Sequence, residues 1–266
     1  MHGAGFVRSE LEHCVDTVRA ARLGVNIGSA DKGRKMITGI IFDKDGTLFD
    51  FNGTWGPSTR GLIAAETGHD PHRMAEMADM LGYDLDAGVF LPGSLVIAET
   101  VSTVADAMLG LLPNVSKDDL IARMKAATKH VPQIEPTPLR PVLTTLRDMG
   151  LTLGVATNDA EEPARANLAH VVDLFDFIAG FDSGFGGKPA PGQLHAFCAQ
   201  TQIAPENCIM VGDSLHDLEA GRAAGMRCVG VLTGPALRPE LTPHADIVMD
   251  TIAQLPAWIV AQNAKL

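Results

Sequence analysis

Residues Ile37-Thr38-Gly39-Ile40-Ile41-Phe42 form an apolar run that stops abruptly at Asp43-Lys44-Asp45-Gly46. Such a run, bounded by a turn signal, predicts a strand buried on both faces of a parallel sheet, with the acids at its carboxyl end. Across 51–135 the pattern changes: apolar residues recur at helical spacing, which predicts helices at 57–67, 71–81, 95–109 and 116–130. Pro57 and Pro71 suit first-turn positions, and Ser116 with Asp119 reads as a capping box. An insert of this length exceeds a loop of a compact domain and is expected to form a small helical domain of its own. After a proline-rich return at 133–141, helices at 139–149, 159–170, 192–201 and 215–224 alternate with strands at 151–156, 177–180, 208–211 and 228–232, and 247–249 reads as an edge strand. Alternation of this kind predicts an α/β fold, a parallel sheet with helices on both faces. Residues 1–35 carry an amphipathic segment at 11–23 and then a Gly- and charge-rich stretch, and are expected to be an N-terminal extension, either an arm or an over-long start. The expected organisation is therefore that extension, a core of 36–50 with 136–266, and a helical insert at 51–135.

A chain of 266 residues, 46% hydrophobic, can bury a core large enough for one large or two small domains. Its formal charge of -11 argues against a nucleic-acid partner, which needs a basic face, and requires that any anionic substrate be welcomed locally. No run reaches membrane-span length and the start lacks the apolar core of a signal peptide, so no membrane partner and a cytoplasmic location are expected. Cys14, Cys198, Cys208 and Cys228 form no Cys-x-x-Cys pair and read as buried reduced thiols.

Chemistry concentrates where strands end. Asp43 and Asp45 would point the same way if the extended geometry persisted, and close carboxylates repel unless a proton or cation intervenes. Mg²⁺, a hard ion that takes oxygen ligands, would fit, although an ordinary Asp-Gly turn is the plainer alternative. Gly46 allows a sharp exit from the strand, and Thr47 adds a hydroxyl and an amide. Thr157-Asn158-Asp159 follows the strand at 151–156 and offers a hydroxyl with helix-start amides, a phosphate-binding arrangement; Asn158 with Glu161 could equally be a capping box. Lys188, in Gly186-Gly187-Lys188-Pro189, would by default be a solvated loop cation, and Ser214 with Asp217 reads as a second capping box beside Asp213. Met74, Met77 and Met80 at helical spacing read as core filler, and His69 with His72 as a solvated interhelical loop rather than a metal pair.

Taken together these segments resemble the haloacid dehalogenase superfamily of aspartate-nucleophile phosphohydrolases. Asp43-Lys44-Asp45-Gly46-Thr47 resembles its first motif, Thr157 its second, Lys188-Pro189 its third and Gly212-Asp213-x-x-x-Asp217 its fourth, all in order. The insert position and the segment Ala220-Gly221-Arg222-Ala223-Ala224-Gly225 are similar to the phosphoglycolate-phosphatase-like branch, whose members carry a helical cap. The resemblance implies a Rossmann-like core and a Mg²⁺-dependent phosphatase working through an aspartyl-phosphate. Asp43 would be the nucleophile, Asp45 the acid and base, Thr157 a hydrogen-bond donor to the phosphoryl group and Lys188 the charge neutraliser. The metal set would be Asp43, Asp45 through its backbone carbonyl, Asp213 and Asp217. The acid at Asp45 separates the chain from the superfamily's dehalogenases. The implied partner is a small phosphorylated metabolite, phosphoglycolate or a sugar phosphate, acted on by a monomer or homodimer. Thr47, Asn158 and Arg60 are candidate substrate contacts, with Asn52 and Trp55 nearby in sequence. A phosphoglucomutase-like phosphoryl transferase and a phospho-aspartate receiver are the alternatives.

Overall fold

In the computed structural model, which describes residues 35–98, 101–128 and 131–265, the first apolar run forms strand β1 (Gly39–Phe42). The segment expected to be amphipathic at 11–23, and Cys14, lie outside the described residues. Ile40, Ile41 and Phe42 are wholly buried, as a strand covered on both faces requires. Among the described residues, those up to Leu48 and from Glu135 onward form one compact unit, and Phe49–Ile134 a second.

The second unit is helical, with the antiparallel hairpin β2 (Tyr83–Asp84) and β3 (Val89–Phe90) in its middle. Its first helix is Phe51–Thr67, six residues earlier than the position of Pro57 suggests. The Asp50 carboxylate accepts from the Gly53 amide and caps the helix there, leaving Pro57 in the interior. Pro71 does open a helix, Pro71–Leu81, capped by Asp70. The hairpin was not expected: Asp84 Oδ1 accepts from the amides of Asp86 and Ala87, both at 2.9 Å, and Gly88 takes a φ of 73° to close the turn. Leu95–Ala98 and Val101–Leu109 are helical, and Lys117–Thr128 follows with the Asp119 amide donating to Ser116 Oγ at 3.2 Å. Met77 lies in the core of this unit with Ile63, Leu81 and Met108, and Met74 and Met80 pack against it, so the methionines fill the core.

The first unit continues through β4 (Thr152–Ala156), β5 (Phe177–Ala179), β6 (Cys208–Gly212), β7 (Arg227–Val231) and β8 (Ile247–Met249). All pairings are parallel, in the order β5-β4-β1-β6-β7-β8. From β1 the chain builds outward to β4 and β5 on one side, then crosses back to β6, β7 and β8 on the other. The order thus reverses at β1, and the crevice at the carboxyl ends of β1 and its neighbours is where such sheets bind ligands. The helix expected at 159–170 is shorter, Glu161–Asn167, and a C-terminal helix absent from the sequence reading spans Leu255–Asn263. Asn263 from that helix exchanges hydrogen bonds with the main chain of Ile37 at 2.9 and 3.2 Å, which fixes the entry into β1. Cys198, Cys208 and Cys228 are buried free thiols. Among the described residues, no helix is long and apolar enough to cross a membrane.

Candidate active site

β1 extends its ladder by one bond, Asp43 N donating to Val211 O at 2.9 Å, and the chain then turns. Gly46 has a φ of 83°, and a Cβ there would lie 2.3 Å from Asp213 Oδ2, so this turn tolerates only glycine. Because the extended geometry ends here, Asp43 and Asp45 do not point the same way. The carboxylate of Asp43 faces Lys188, whereas that of Asp45 faces the wholly buried Lys44, with Nζ 2.7 and 2.8 Å from its two oxygens. The side chain of Asp45 is therefore not part of the acidic cluster, contrary to the simplest reading of its spacing. A buried ammonium next in sequence has captured it.

The cluster consists of Asp43, Asp213 and Asp217, each contributing an oxygen within 4.8 Å of the others. Asp213 follows β6, and Asp217 sits in the first turn of the helix Leu215–Ala223. The capping-box reading of Ser214 and Asp217 holds together with the site reading, because the carboxylate divides its tasks. Oδ2 accepts from Ser214 N at 3.1 Å and Ser214 Oγ at 2.7 Å, while Oδ1 accepts from Lys188 Nζ at 2.6 Å. The same ammonium donates to Asp43 Oδ1 at 2.5 Å. Lys188 is 6% exposed, so it is not a solvated loop cation but the buried counter-charge of the cluster.

Asn158 does not cap the following helix. Its Nδ2 donates to Lys188 O at 2.9 Å and its Oδ1 accepts from Lys188 N at 2.8 Å, while Ala160 takes the cap position and Glu161 pairs with Arg165 and Ser183. Thr157, 2% exposed, accepts from Asp159 N at 3.0 Å through Oγ1, which leaves the hydroxyl proton to donate. Thr47 is buried, and its hydroxyl donates to Asp213 Oδ1 at 3.2 Å. Arg60 belongs to the second unit, where its guanidinium donates to Leu85 O, Asn52 accepts from the Phe90 amide and Trp55 packs on that unit's core.

Three residues of the site were missed in the sequence. Thr233 Oγ1 donates to Gly46 O at 2.6 Å and fixes the turn, and Gly234 lies so close to Asp213 that a Cβ would overlap it at 1.7 Å. Thr233-Gly234 follows soon after β7 much as Thr157 follows β4, a repeated pattern that could have found them. Lys44 is the third.

Three carboxylates against one ammonium leave a buried excess of two negative charges. Burial raises the Asp43 carboxyl to about 7, opposed by Lys188 and reinforced by Asp217 and Asp45. Burial also lifts Asp213 well above the ordinary carboxylate range, with Asp217 and Asp43 adding to it. Burial alone would depress Lys188, but the carboxylates of Asp217 and Asp43 outweigh it and hold the ammonium above its ordinary value. An all-oxygen donor set with this surplus fits a hard divalent cation, which would replace the protons the site otherwise retains.

Residues 37–225 match the family model described as haloacid dehalogenase-like hydrolase. Protein CbbY of Cereibacter sphaeroides is 28% identical over 83% of this chain and 94% of its own length. The phosphoglycolate phosphatase of Pseudomonas putida is 27% identical over 81% of this chain and 77% of its own. A HAD family hydrolase of Deinococcus radiodurans, solved with bound phosphate and sodium, superposes with a TM-score of 0.64 at 22% identity, covering 85% of this chain and 96% of that one. With a family match over most of its length and an aspartate cluster where β1 and β6 end, the chain belongs to the haloacid dehalogenase-like hydrolase family.

Proposed function

We propose that the protein is a Mg²⁺-dependent phosphatase that hydrolyses a small phosphomonoester through an aspartyl-phosphate on Asp43. The observation that carries this reading is the Lys188 ammonium bridging Asp43 and Asp217 inside a carboxylate cluster too negative to stay fully ionised alone. Asp43, Asp213 and Asp217 would hold the ion, Asp45 contributing through its backbone carbonyl. Bound there, Mg²⁺ would offset the repulsion between an anionic nucleophile and an anionic ester.

Asp43 attacks phosphorus as the carboxylate, and Lys188 favours that ionised form. As its oxygen–phosphorus bond forms, the bond from phosphorus to the ester oxygen breaks, and Asp45 gives its proton to the departing alkoxide. Asp45 then takes a proton from water, which attacks the same phosphorus, releases phosphate and regenerates Asp43. Thr157 donates its hydroxyl hydrogen to a phosphoryl oxygen. The helical unit Phe49–Ile134 is the candidate for substrate selection, by resemblance to the family's inserted domain. Phosphoglycolate leads the candidates because several similar proteins carry the name phosphoglycolate phosphatase.

The test is phosphate release from a panel of small phosphomonoesters, phosphoglycolate included, with Mg²⁺ or with chelator, and with Asp43→Asn as the blank. Metal-dependent turnover of one ester far above the others is expected. Near-native release by Asp43→Asn would overturn the nucleophile. A stable phosphorylated protein without release would replace hydrolysis by a receiver, and phosphate passed to a second sugar hydroxyl would replace it by a transferase.

A further inference from the structure

We infer that Lys44 is a positioning residue that holds Asp45 apart from the carboxylate cluster and aims it at the leaving-group oxygen. The inference rests on the phosphatase reading above and assigns a task to a residue that reading does not use. Lys44 is wholly buried, and its ammonium has four partners: both oxygens of Asp45 at 2.7 and 2.8 Å, Asn167 Oδ1 at 3.2 Å and Asp159 Oδ2 at 3.4 Å. Those partners are themselves anchored. Asp159 Oδ1 accepts from Ala160 N at 2.8 Å, and Asn167 ends the helix Glu161–Asn167.

The first unit thus contains two buried lysines with opposite assignments. Lys188 binds Asp43 and Asp217, and Lys44 binds Asp45 and Asp159, so two carboxylates only two residues apart are sorted into separate charge networks. Without Lys44, Asp45 would lose two contacts to its carboxylate oxygens and be held less firmly. To donate, Asp45 carries its proton on one oxygen, within hydrogen-bond reach of the leaving group, while the other stays on the Lys44 ammonium; loss of that anchor costs rate without touching nucleophilic attack.

The discriminating experiment compares two esters in the first, phosphoenzyme-forming step. p-Nitrophenyl phosphate loses a phenolate that departs with little help, whereas phosphoglycolate, or whichever alkyl ester the wild type turns over fastest, loses an alkoxide that needs a proton. Lys44→Met replaces the ammonium by an apolar chain of similar length. In single turnover it is expected to slow the alkyl ester by about 10- to 100-fold while leaving the aryl ester within about threefold. Asn167→Ala removes one anchor while keeping the ion pair, and is expected to slow the alkyl ester by about threefold while leaving the aryl ester unchanged. It decides the question if Lys44→Met does not fold. Equal losses on both esters, or none on either, would reduce Lys44 to a structural charge and overturn the inference. Absence of any phosphoenzyme in the wild type would instead overturn the proposed function, so the two failures are distinguishable.

Discussion

Asn158 grips the main chain of Lys188 from both sides, donating to its carbonyl at 2.9 Å and accepting from its amide at 2.8 Å. The lysine that faces Asp43 is therefore placed by a residue thirty positions earlier in the chain. Asn158→Ala should remove two hydrogen bonds worth about 1 kcal/mol each and let the ammonium drift from the cluster. We expect kcat to fall by about tenfold, with thermal stability lowered only modestly. Unchanged kcat in steady-state assays would show that Lys188 is held by its carboxylate partners alone.

Lys188→Met should be far more damaging. It leaves three buried carboxylates without their ammonium, and the loss of one preorganised cation at a reacting phosphoryl group is expected to cost about 10²–10³ in kcat. Lys188→Arg should not rescue it, because a planar guanidinium cannot reproduce two contacts of 2.5 and 2.6 Å from a single nitrogen in so enclosed a site. Activity within a few fold of wild type in either variant would remove Lys188 from the chemistry.

The residue types that make the site were legible because acids, a threonine and a lysine at the ends of apolar runs have few other uses in such number. Their directions were not. Asp43 and Asp45 look like a pair on paper, but the strand ends at Phe42 and a buried lysine between them takes the second acid. Asn158 and Glu161 have the spacing of a capping box, yet Lys188, distant in sequence, competes for Asn158, and a local rule cannot register that competitor. The strands of the sheet were readable as buried apolar runs. The hairpin Tyr83–Asp84 with Val89–Phe90 was too short to show a period, and Leu255–Asn263 escaped notice because its apolar residues do not gather into one stripe. Pro57 misled because Asp50, a stronger start signal, stood upstream.

Gly46→Ala tests the turn that brings β1 to Asp213. A left-handed φ of 83° strains any other residue, and the new Cβ would press on the Asp213 carboxylate. The structure must shift either Asp213 or the turn that Thr233 pins. We expect weakened Mg²⁺ affinity, read by titrating activity against metal, together with a melting temperature lower by about 2–4 °C per kcal/mol of strain. Wild-type metal dependence in this variant would show that the cluster can rearrange around an added methyl group.

The raised proton affinity of Asp43 and Asp213 makes a prediction about the metal-free protein. Both carboxyls are held above their unfolded values, Asp43 at about 7 against 3.8, so the folded state binds protons that the unfolded chain releases. Their stabilising contribution is complete below the unfolded value and is lost as pH rises towards the folded one. Without metal, the melting temperature should therefore fall as pH rises from about 4 through about 7, where Asp43 gives up its proton, as far as these groups govern it. Mg²⁺ should raise it little at pH 5, where protons already occupy the cluster, and most at pH 8, where the cation takes their place. Asp43→Asn removes one charge from the cluster and should shrink both the fall with pH and the gain from metal. Thermal melts of the two proteins at pH 5, 6, 7 and 8, with chelator and with Mg²⁺, check all of this. A metal effect that grows towards acid pH would show that the three aspartates are not the groups the cation meets.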